Sequence, residues 1–372
     1  MDLTLVLTHA CNLGCGYCYA GAKDARAMPE AVARRALTWA MGHCQGELLV
    51  GYFGGEPLIS WDLLTQYHAL AVELAQAQAH GVTLEHTVTT NGTLLTPERM
   101  DWLGERSFSV GISIDGARAA HDRMRPRAGG GSSYDAVLAG LRVALSRRPM
   151  TQTISVVHPD SVGDLAAGVD ALLGEGVRVL SLSLDPSADW DLGSLETARQ
   201  QLDLVGERWL TEYRAGRDLW IEPLDGRIVS QVKGGLEDCD QCSAGTGELA
   251  VAPSGTWYPC ERMVGPDGER ERRWSLGSVL ESADGGPDAQ RVRTLSWQHE
   301  AEPAACQTCP LRERCQHHCA CSNAMATGQV ATPGGAQCAW EQSAIATADR
   351  IGGAMWNEGN ALFLRRRYRL VG

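Results

Sequence analysis

Apolar residues in the first half of the chain fall into two alternating patterns. Short runs rich in Val, Ile, Leu and Thr occupy 4–8, 48–53, 83–89, 108–114, 152–157 and 178–184, and their length and composition predict strands. Between them lie stretches with apolar residues at helical spacing: 29–41, 61–79, 97–103, 133–146 and 162–173. Pro29 and Pro97 suit the first turn of a helix, where a missing amide costs nothing. Strand, helix, strand at this spacing predicts parallel strands joined by right-handed crossovers. The expected fold is therefore α/β, an open partial (β/α)6 barrel of the TIM type, although a doubly wound sheet gives the same pattern. In either case ligands bind beyond the C-terminal ends of the strands.

A further helix is expected over 194–215, and beyond Pro223 the periodicity gives way to loops rich in Gly, Pro and Cys. This places a boundary near residue 220, with a barrel domain at 1–220 and a Cys-rich domain at 221–345. From about residue 341 the chain reads as helical again. The final segment, 346–372, is a C-terminal helix with a basic tail, LRRRYRLVG, expected to be solvated.

The 372 residues are 44% hydrophobic and 21% charged, which excludes wholesale disorder. A formal net charge of −12 argues against nucleic acid and anionic membranes as partners. No apolar run approaches the roughly 20 residues of a membrane span. The start, MDLTLVLTHACN, lacks a basic n-region, so a cytoplasmic location is expected.

Cysteine changes the picture. Of thirteen, three lie within residues 11–18, Cys44 stands alone, and nine fall between Cys239 and Cys338. Thiols grouped this way in a reducing compartment point to metal rather than disulfides. Directly after the first strand, CNLGCGYCY spaces Cys11, Cys15 and Cys18 as C-x3-C-x2-C. Three thiolates on one loop can ligate three irons of a [4Fe–4S] cube and leave the fourth iron open for an outside ligand. Gly14 and Gly16 let such a loop fold tightly. A three-cysteine zinc site is the alternative.

With Tyr17 just before the third cysteine, this segment resembles the signature of the radical S-adenosylmethionine (SAM) superfamily. GYFGGEPL at 51–58 resembles the family's Gly-Gly-Glu-Pro segment, one strand–helix unit later. TTNGTLL at 89–95 and VGISIDG at 110–116 are similar to the ends of its third and fourth strands. The resemblance implies that the open iron chelates SAM, that one electron splits its sulfonium, and that the 5′-deoxyadenosyl radical abstracts a substrate hydrogen. It also implies SAM-binding roles for Tyr17, Gly54, Gly55, Glu56, Asn91, Ser113 and Asp115. Glu56 would offer its carboxylate to the methionyl ammonium, Asn91 would lie near that end, and Ser113 and Asp115 beside the ribose or substrate. As residues alone, Asn91-Gly92 and Asp115-Gly116 are also ordinary turn dipeptides.

The later cysteines read C-x12-G-x4-C from Cys242 through Gly255 to Cys260. C-x2-C-x5-C-x3-C follows through Cys306, Cys309, Cys315 and Cys319, then Cys338. This resembles the SPASM domain of radical SAM enzymes, which binds two auxiliary [4Fe–4S] clusters; a zinc ribbon is the other reading of the C-x2-C pair. Cys239 is the natural eighth thiol. The family's interleaved ligation implies one auxiliary cluster on Cys239, Cys242, Cys260 and Cys319, and a second on Cys306, Cys309, Cys315 and Cys338. Together with the N-terminal cube that makes three clusters. Cys44 and Cys321 are left over, with Cys321 a rival for the place of Cys319, while His317 and His318 are expected in structural roles. Glu261 follows Cys260 where anaerobic sulfatase-maturating enzymes carry an Asp that acts as a base, which makes it the candidate catalytic residue.

The expected function is a radical SAM maturase that oxidatively modifies a peptide or protein side chain, foremost by crosslinking a ribosomally made peptide. Formylglycine formation in a sulfatase is the alternative, and a non-catalytic iron–sulfur electron-transfer protein a third. Expected partners are the peptide or protein substrate and an electron donor such as flavodoxin or ferredoxin. Because the first strand begins at about residue 3, no winged-helix leader-binding module is expected, and a separate leader-peptide-binding protein is the implied substitute.

Overall fold

The first strand, β1 (Asp2–Thr8), buries Leu3, Leu5, Val6 and Leu7, the near-continuous burial of a parallel strand covered on both faces. In the computed structural model, which describes residues 1–21, 23–77, 81–237, 240–268, 271–296 and 301–368, the chain divides into two discontinuous compact units. One comprises Met1–Ile112, Pro126–Arg147 and Ser243–Glu300; the other comprises Ser113–Arg125, Arg148–Cys242 and Ala301–Gly372.

In the first unit, β1 pairs in parallel with β2 (Gly46–Gly54), which is followed by β3 (Val82–Thr90) and β4 (Ser109–Ser113) in the same sense. The helices α1 (Glu30–His43), α2 (Trp61–Gln76) and α3 (Pro97–Glu105) connect them. α1 turns Val32, Ala33, Ala36, Leu37, Ala40 and Met41 inward at helical spacing. α3 starts as its sequence predicts: Thr96 caps it by accepting from Arg99 N at 3.3 Å, and Pro97 occupies the first turn. Pro29, by contrast, is the residue before α1 rather than inside it.

The other edge of β1 carries a strand that the sequence pattern does not predict. β8 (Glu248–Val251) runs parallel to β1, with Leu3 opposite Leu249, and the two-residue β9 (Trp257–Tyr258) returns antiparallel. Four residues with a Gly-rich approach are too short for a periodic signal. Burial of Ala250, Tyr258 and Val264 against Val6 fixes the hairpin in place. Trp257, fully buried, meets Trp39 of α1 edge-on at 5.3 Å.

The second unit opens with α4 (Arg118–Met124) and holds the parallel strands β5 (Gln152–Val157), β6 (Val179–Leu184) and β7 (Trp220–Glu222). α5 (Tyr134–Arg147) belongs to the first unit. α6 (Leu165–Gly174) and the 23-residue α7 (Leu192–Arg214) link the strands of the second. α7 begins with a reciprocal cap between Asp191 and Ser194. β7 and α8 (Leu224–Lys233) also lie beyond the sequence prediction, which reads loop after Pro223. Later come α9 (Ala289–Leu295) in the first unit, then α10 (Ala304–Gln307), α11 (Ala320–Thr327) and α12 (Gly335–Asn357) in the second. α12 packs on α7 and α8. Among the described residues, no helix is long and apolar enough to cross a membrane.

The basic tail is not wholly solvated, contrary to its expected character. Arg367 is 3% exposed, donating to Asp225 Oδ1 from Nε at 2.9 Å and to the Leu219 carbonyl at 3.0 Å, and it also contacts Tyr213 Oη. Asp225, fully buried, accepts from Trp209 Nε1 at 3.1 Å as well. Charge alone marks a run of arginines as surface; a buried aspartate 142 residues away in the sequence is invisible to it. Removing one member of a buried pair strands the other charge. R367A should therefore lower stability in urea unfolding by about 3–5 kcal/mol. R366A, at an exposed position facing Asp218, should change it by less than about 0.5 kcal/mol.

Candidate active site

At the end of β1 the chain enters a loop that carries Cys11, Cys15 and Cys18. All three are half-buried and outside any disulfide. The loop is tied down from several sides within the first unit. Gly55 N donates to Thr8 O and Glu56 N to Ala10 O, both at 2.8 Å. Gly14 N donates to Pro126 O at 2.8 Å, Ala128 N to Asn12 O at 3.0 Å, and Leu13 is buried. Gly54 and Gly55 are required here: Gly54 has φ +149°, and a Cβ at Gly55 would meet the carbonyl oxygens of Ala10 and His9. The thiols have donors of their own, Leu13 N to Cys11 Sγ at 3.4 Å and Lys23 Nζ to Cys18 Sγ at 2.7 Å. Burial raises the Cys11 pKa. Tyr17 is half-buried in the same loop.

Beneath the loop lies Glu56, 1% exposed. Its Oε1 accepts from Thr90 Oγ1 at 2.6 Å and from Leu58 N at 3.0 Å, and its Oε2 from Asn91 N at 2.7 Å. Burial raises its pKa, and these donors pull it back in part. The carboxylate thus joins the ends of β2 and β3. Asn91 extends the connection: its Nδ2 donates to Asn12 Oδ1 at 2.8 Å, and its Oδ1 accepts from Thr93 N at 3.0 Å and Thr93 Oγ1 at 2.6 Å. Asn12 Nδ2 closes the circuit on Thr93 Oγ1 at 2.8 Å. Asn12 lies between Cys11 and Cys15, so a chain of hydrogen bonds runs from the Gly-Gly-Glu-Pro segment to the cysteine loop.

The hairpin of β8 and β9 brings Cys260 and Glu261 into the same unit, with Glu261 Oε2 3.4 Å from Cys260 Sγ. Glu248 shares this group: its carboxylate, the Cys260 thiol and the Glu261 carboxylate all lie within 4.8 Å of one another. Tyr19, half-buried, is influenced by both sides. Burial raises its pKa, as do Glu261, Cys260 and Cys18, while Arg262, over its ring at 5.8 Å, opposes them. Asp267 makes a second link. Tyr258 Oη donates to it at 3.0 Å and His9 Nε2 lies 3.9 Å away, and His9, Ser254 and Tyr258 hold its pKa low against the effect of burial. Sequence reasoning passed over Tyr19, Glu248 and Asp267. Tyr19 alone had a signal, an aromatic directly after the third cysteine.

In the second unit Ser113 ends β4 half-buried. The Asp115 carboxylate pairs with Arg125 Nε at 3.1 Å and accepts from Val156 N at 3.1 Å. Of the later thiols, Cys239 lies outside the described residues. Cys242 acts on the ionisation of Cys319, whose Sγ is 3.6 Å from Cys321 Sγ, so Cys319 and Cys321 are both close to that position. Cys338 and Cys309 both raise the pKa of Cys306 after burial, and Cys338 acts on Cys315. These four are gathered without a disulfide. Burial, then Glu341, pushes the Cys315 thiol up to about 12. Four unbridged thiols fit an iron–sulfur cube, and the three on the N-terminal loop fit a cube with one iron left open. His317, buried, is held between Glu302 Oε1 at 2.6 Å and the Cys315 carbonyl at 3.0 Å.

Residues 5–172 match the profile of the Radical SAM superfamily. That segment is a radical SAM domain by this match. The radical SAM family implies a [4Fe–4S] cluster and SAM. The chain is 26% identical over 324 residues to a serine-type anaerobic sulfatase-maturating enzyme of Klebsiella aerogenes, covering 83% of this chain and 77% of that protein. The structure of native anSMEcpe with bound AdoMet superposes with a TM-score of 0.80 at 17% identity, covering 96% of this chain and 99% of that one. SuiB of Streptococcus suis, solved with its precursor peptide SuiA, gives a TM-score of 0.61 at 15% identity, covering 90% and 75%. The α/β fold with its parallel strands is thus the radical SAM fold of the sulfatase-maturating enzymes.

Both Glu56 oxygens are acceptors, so a glutamine there must turn its amide NH2 towards a protein donor. E56Q should lower stability by about 1–3 kcal/mol in urea unfolding despite its matched shape. T90S, which retains the hydroxyl donor, should stay close to wild type in the same measurement.

Proposed function

We propose that this radical SAM enzyme oxidises a side chain of a polypeptide substrate, with Glu261 as the base, and that formylglycine formation is the reading best supported. The supporting observation is Tyr19 of the N-terminal loop, whose ring lies 5.8 Å from the guanidinium of Arg262, the residue after Glu261, in one compact unit. Similarity to a sulfatase-maturating enzyme over most of both chains points the same way. Cys11, Cys15 and Cys18 would hold the SAM-binding cluster, and the later cysteines two auxiliary clusters. When bound, the N-terminal cluster and SAM supply one electron and a 5′-deoxyadenosyl radical that removes a hydrogen atom from the substrate.

This chain's residues do the rest. Gly54 and Gly55 let β2 approach the cysteine loop, and Glu56 with Asn91 fixes that loop through Asn12. Because its oxygens already accept three protein donors, Glu56 acts by positioning the loop and the strand ends. Tyr17, in the same unit, is a further candidate for a SAM contact. Glu261 would take the proton that the substrate sheds as its carbon is oxidised; an auxiliary cluster, when bound, would supply the acceptor for the electron. A carboxylate half-buried beside a thiol is suited to that exchange. Glu248 lies close enough to share the proton.

A second reading, crosslinking of a ribosomally made peptide, is favoured by the fold shared with SuiB. The two readings part at the product. Conversion of Ser to formylglycine and closure of a crosslink both remove two hydrogens, but only formylglycine reacts with a hydrazide. Anaerobically reconstituted protein should contain about twelve irons per chain and form 5′-deoxyadenosine with dithionite. Replacing Cys11, Cys15 and Cys18 together by Ala should abolish 5′-deoxyadenosine while keeping about eight irons; loss of all iron would mean the thiols are partitioned differently. E261Q should keep uncoupled SAM cleavage and lower product by about 100-fold or more, the scale of a lost general base.

A further inference from the structure

Arg227, on α8, is 1% exposed and is one of the largest fully buried side chains. Its Nε and Nη2 donate to Glu341 Oε2 and Oε1 at 2.8 and 2.9 Å. Its carbonyl accepts from Arg314 Nη2 at 2.9 Å, which ties the segment before Cys315 to α8. Its Nη1 is buried and has no hydrogen-bond partner. A buried cationic N–H without an acceptor is costly, and such groups are satisfied in native proteins by a neighbour, water or ligand.

The surroundings bear on the acceptor it would meet. Glu341 is on α12, one turn after Cys338, and its Oε2 also accepts from Gln316 N, the residue after Cys315, at 3.4 Å. The pair is thereby tied to the segments that carry Cys315 and Cys338, two of the four thiols Cys306, Cys309, Cys315 and Cys338.

A thiolate-ligated cluster is anionic and becomes more so on reduction. A buried donor or cation beside its sulfurs favours the reduced state, a carboxylate the oxidised one, and low dielectric enlarges both effects. We propose that Arg227 is a positioning residue that raises the reduction potential of the auxiliary cluster on Cys306, Cys309, Cys315 and Cys338, with Nη1 donating to a cluster sulfur and Glu341 both aiming the guanidinium and limiting the rise. This rests on the reading of those thiols as a cluster site. The cluster becomes the better acceptor for the electron that substrate oxidation releases.

The test is a redox titration, followed by electron paramagnetic resonance, of the reconstituted full-length chain with Cys11, Cys15 and Cys18 replaced by Ala, so that only auxiliary signals remain. R227Q should lower the midpoint of one signal, changing its reduced-to-oxidised ratio about tenfold, which is about 59 mV for one electron. E341Q should move the same signal upward. Opposite shifts are not what loosened packing produces, since both substitutions break the same pair. R227K, which keeps the charge and is the milder change in a buried pair, should fall between wild type and R227Q and stands in if R227Q does not fold. Shifts in the same direction, or midpoints unchanged in all three variants, overturn the proposal while leaving the cluster in place. A parent protein with only one auxiliary signal and about four irons instead removes the cluster reading itself, and the proposal with it.

Discussion

A carboxylate removed from water must be met by donors, and Glu56 is met by three: the Thr90 hydroxyl, the Asn91 amide and the Leu58 amide. This constraint decides the geometry of the candidate active site. It fixes the end of β2 against the end of β3, and through Asn91 and Asn12 it reaches the loop between Cys11 and Cys15. The two preceding glycines belong to the same arrangement, because only residues without a side chain let β2 come so near the backbone of Thr8, His9 and Ala10. The motif reads as a turn when seen alone. In the fold it is a clamp, and its hydrogen bonds are directed at the loop that must stay in register for three thiols to face one cluster.

Buried charge organises the second unit in the same way. Arg227 with Glu341 and Arg367 with Asp225 are both nearly inaccessible to water, and each connects α8 to a segment distant in sequence. Pairs of this sort rarely add stability over an apolar packing. What they supply here is position: Glu341 lies a turn from Cys338 on α12, and Arg314 runs from the segment before Cys315 to α8 and to Asp349. Of the four cysteines of the proposed cluster site only Cys338 lies in a long helix, and directional polar contacts help to place the segments of the others.

Much of this was legible in the sequence, for identifiable reasons. The strands β1 to β6 announced themselves through apolar runs, and the helices between them through 3.6-residue spacing, because each buries a face against a sheet. The cysteine spacings were legible because ligands must converge and so tolerate few changes in separation. β7, β8 and β9 were not, since strands of two to four residues carry no period. The role of Glu56 was only half visible: its importance could be read, but two of the three donors on its oxygens come from the end of β3 and the residue after it. Asp115 is a similar case: its turn could be read, but the partners of its carboxylate, Arg125 and Val156, could not. The burial of Arg367 and of Arg227 depended on partners 142 and 114 residues away, beyond the reach of any local pattern.

The central physical statement is that the loop of Cys11, Cys15 and Cys18 holds a cube whose fourth iron is reserved for the cosubstrate. It is tested most directly by electron–nuclear double resonance on the reduced protein with SAM labelled with nitrogen-15 at its amino group. Direct coordination predicts a nitrogen-15 coupling to the cluster that disappears when unlabelled SAM replaces it. A reduced cluster showing no such coupling at saturating SAM would contradict it.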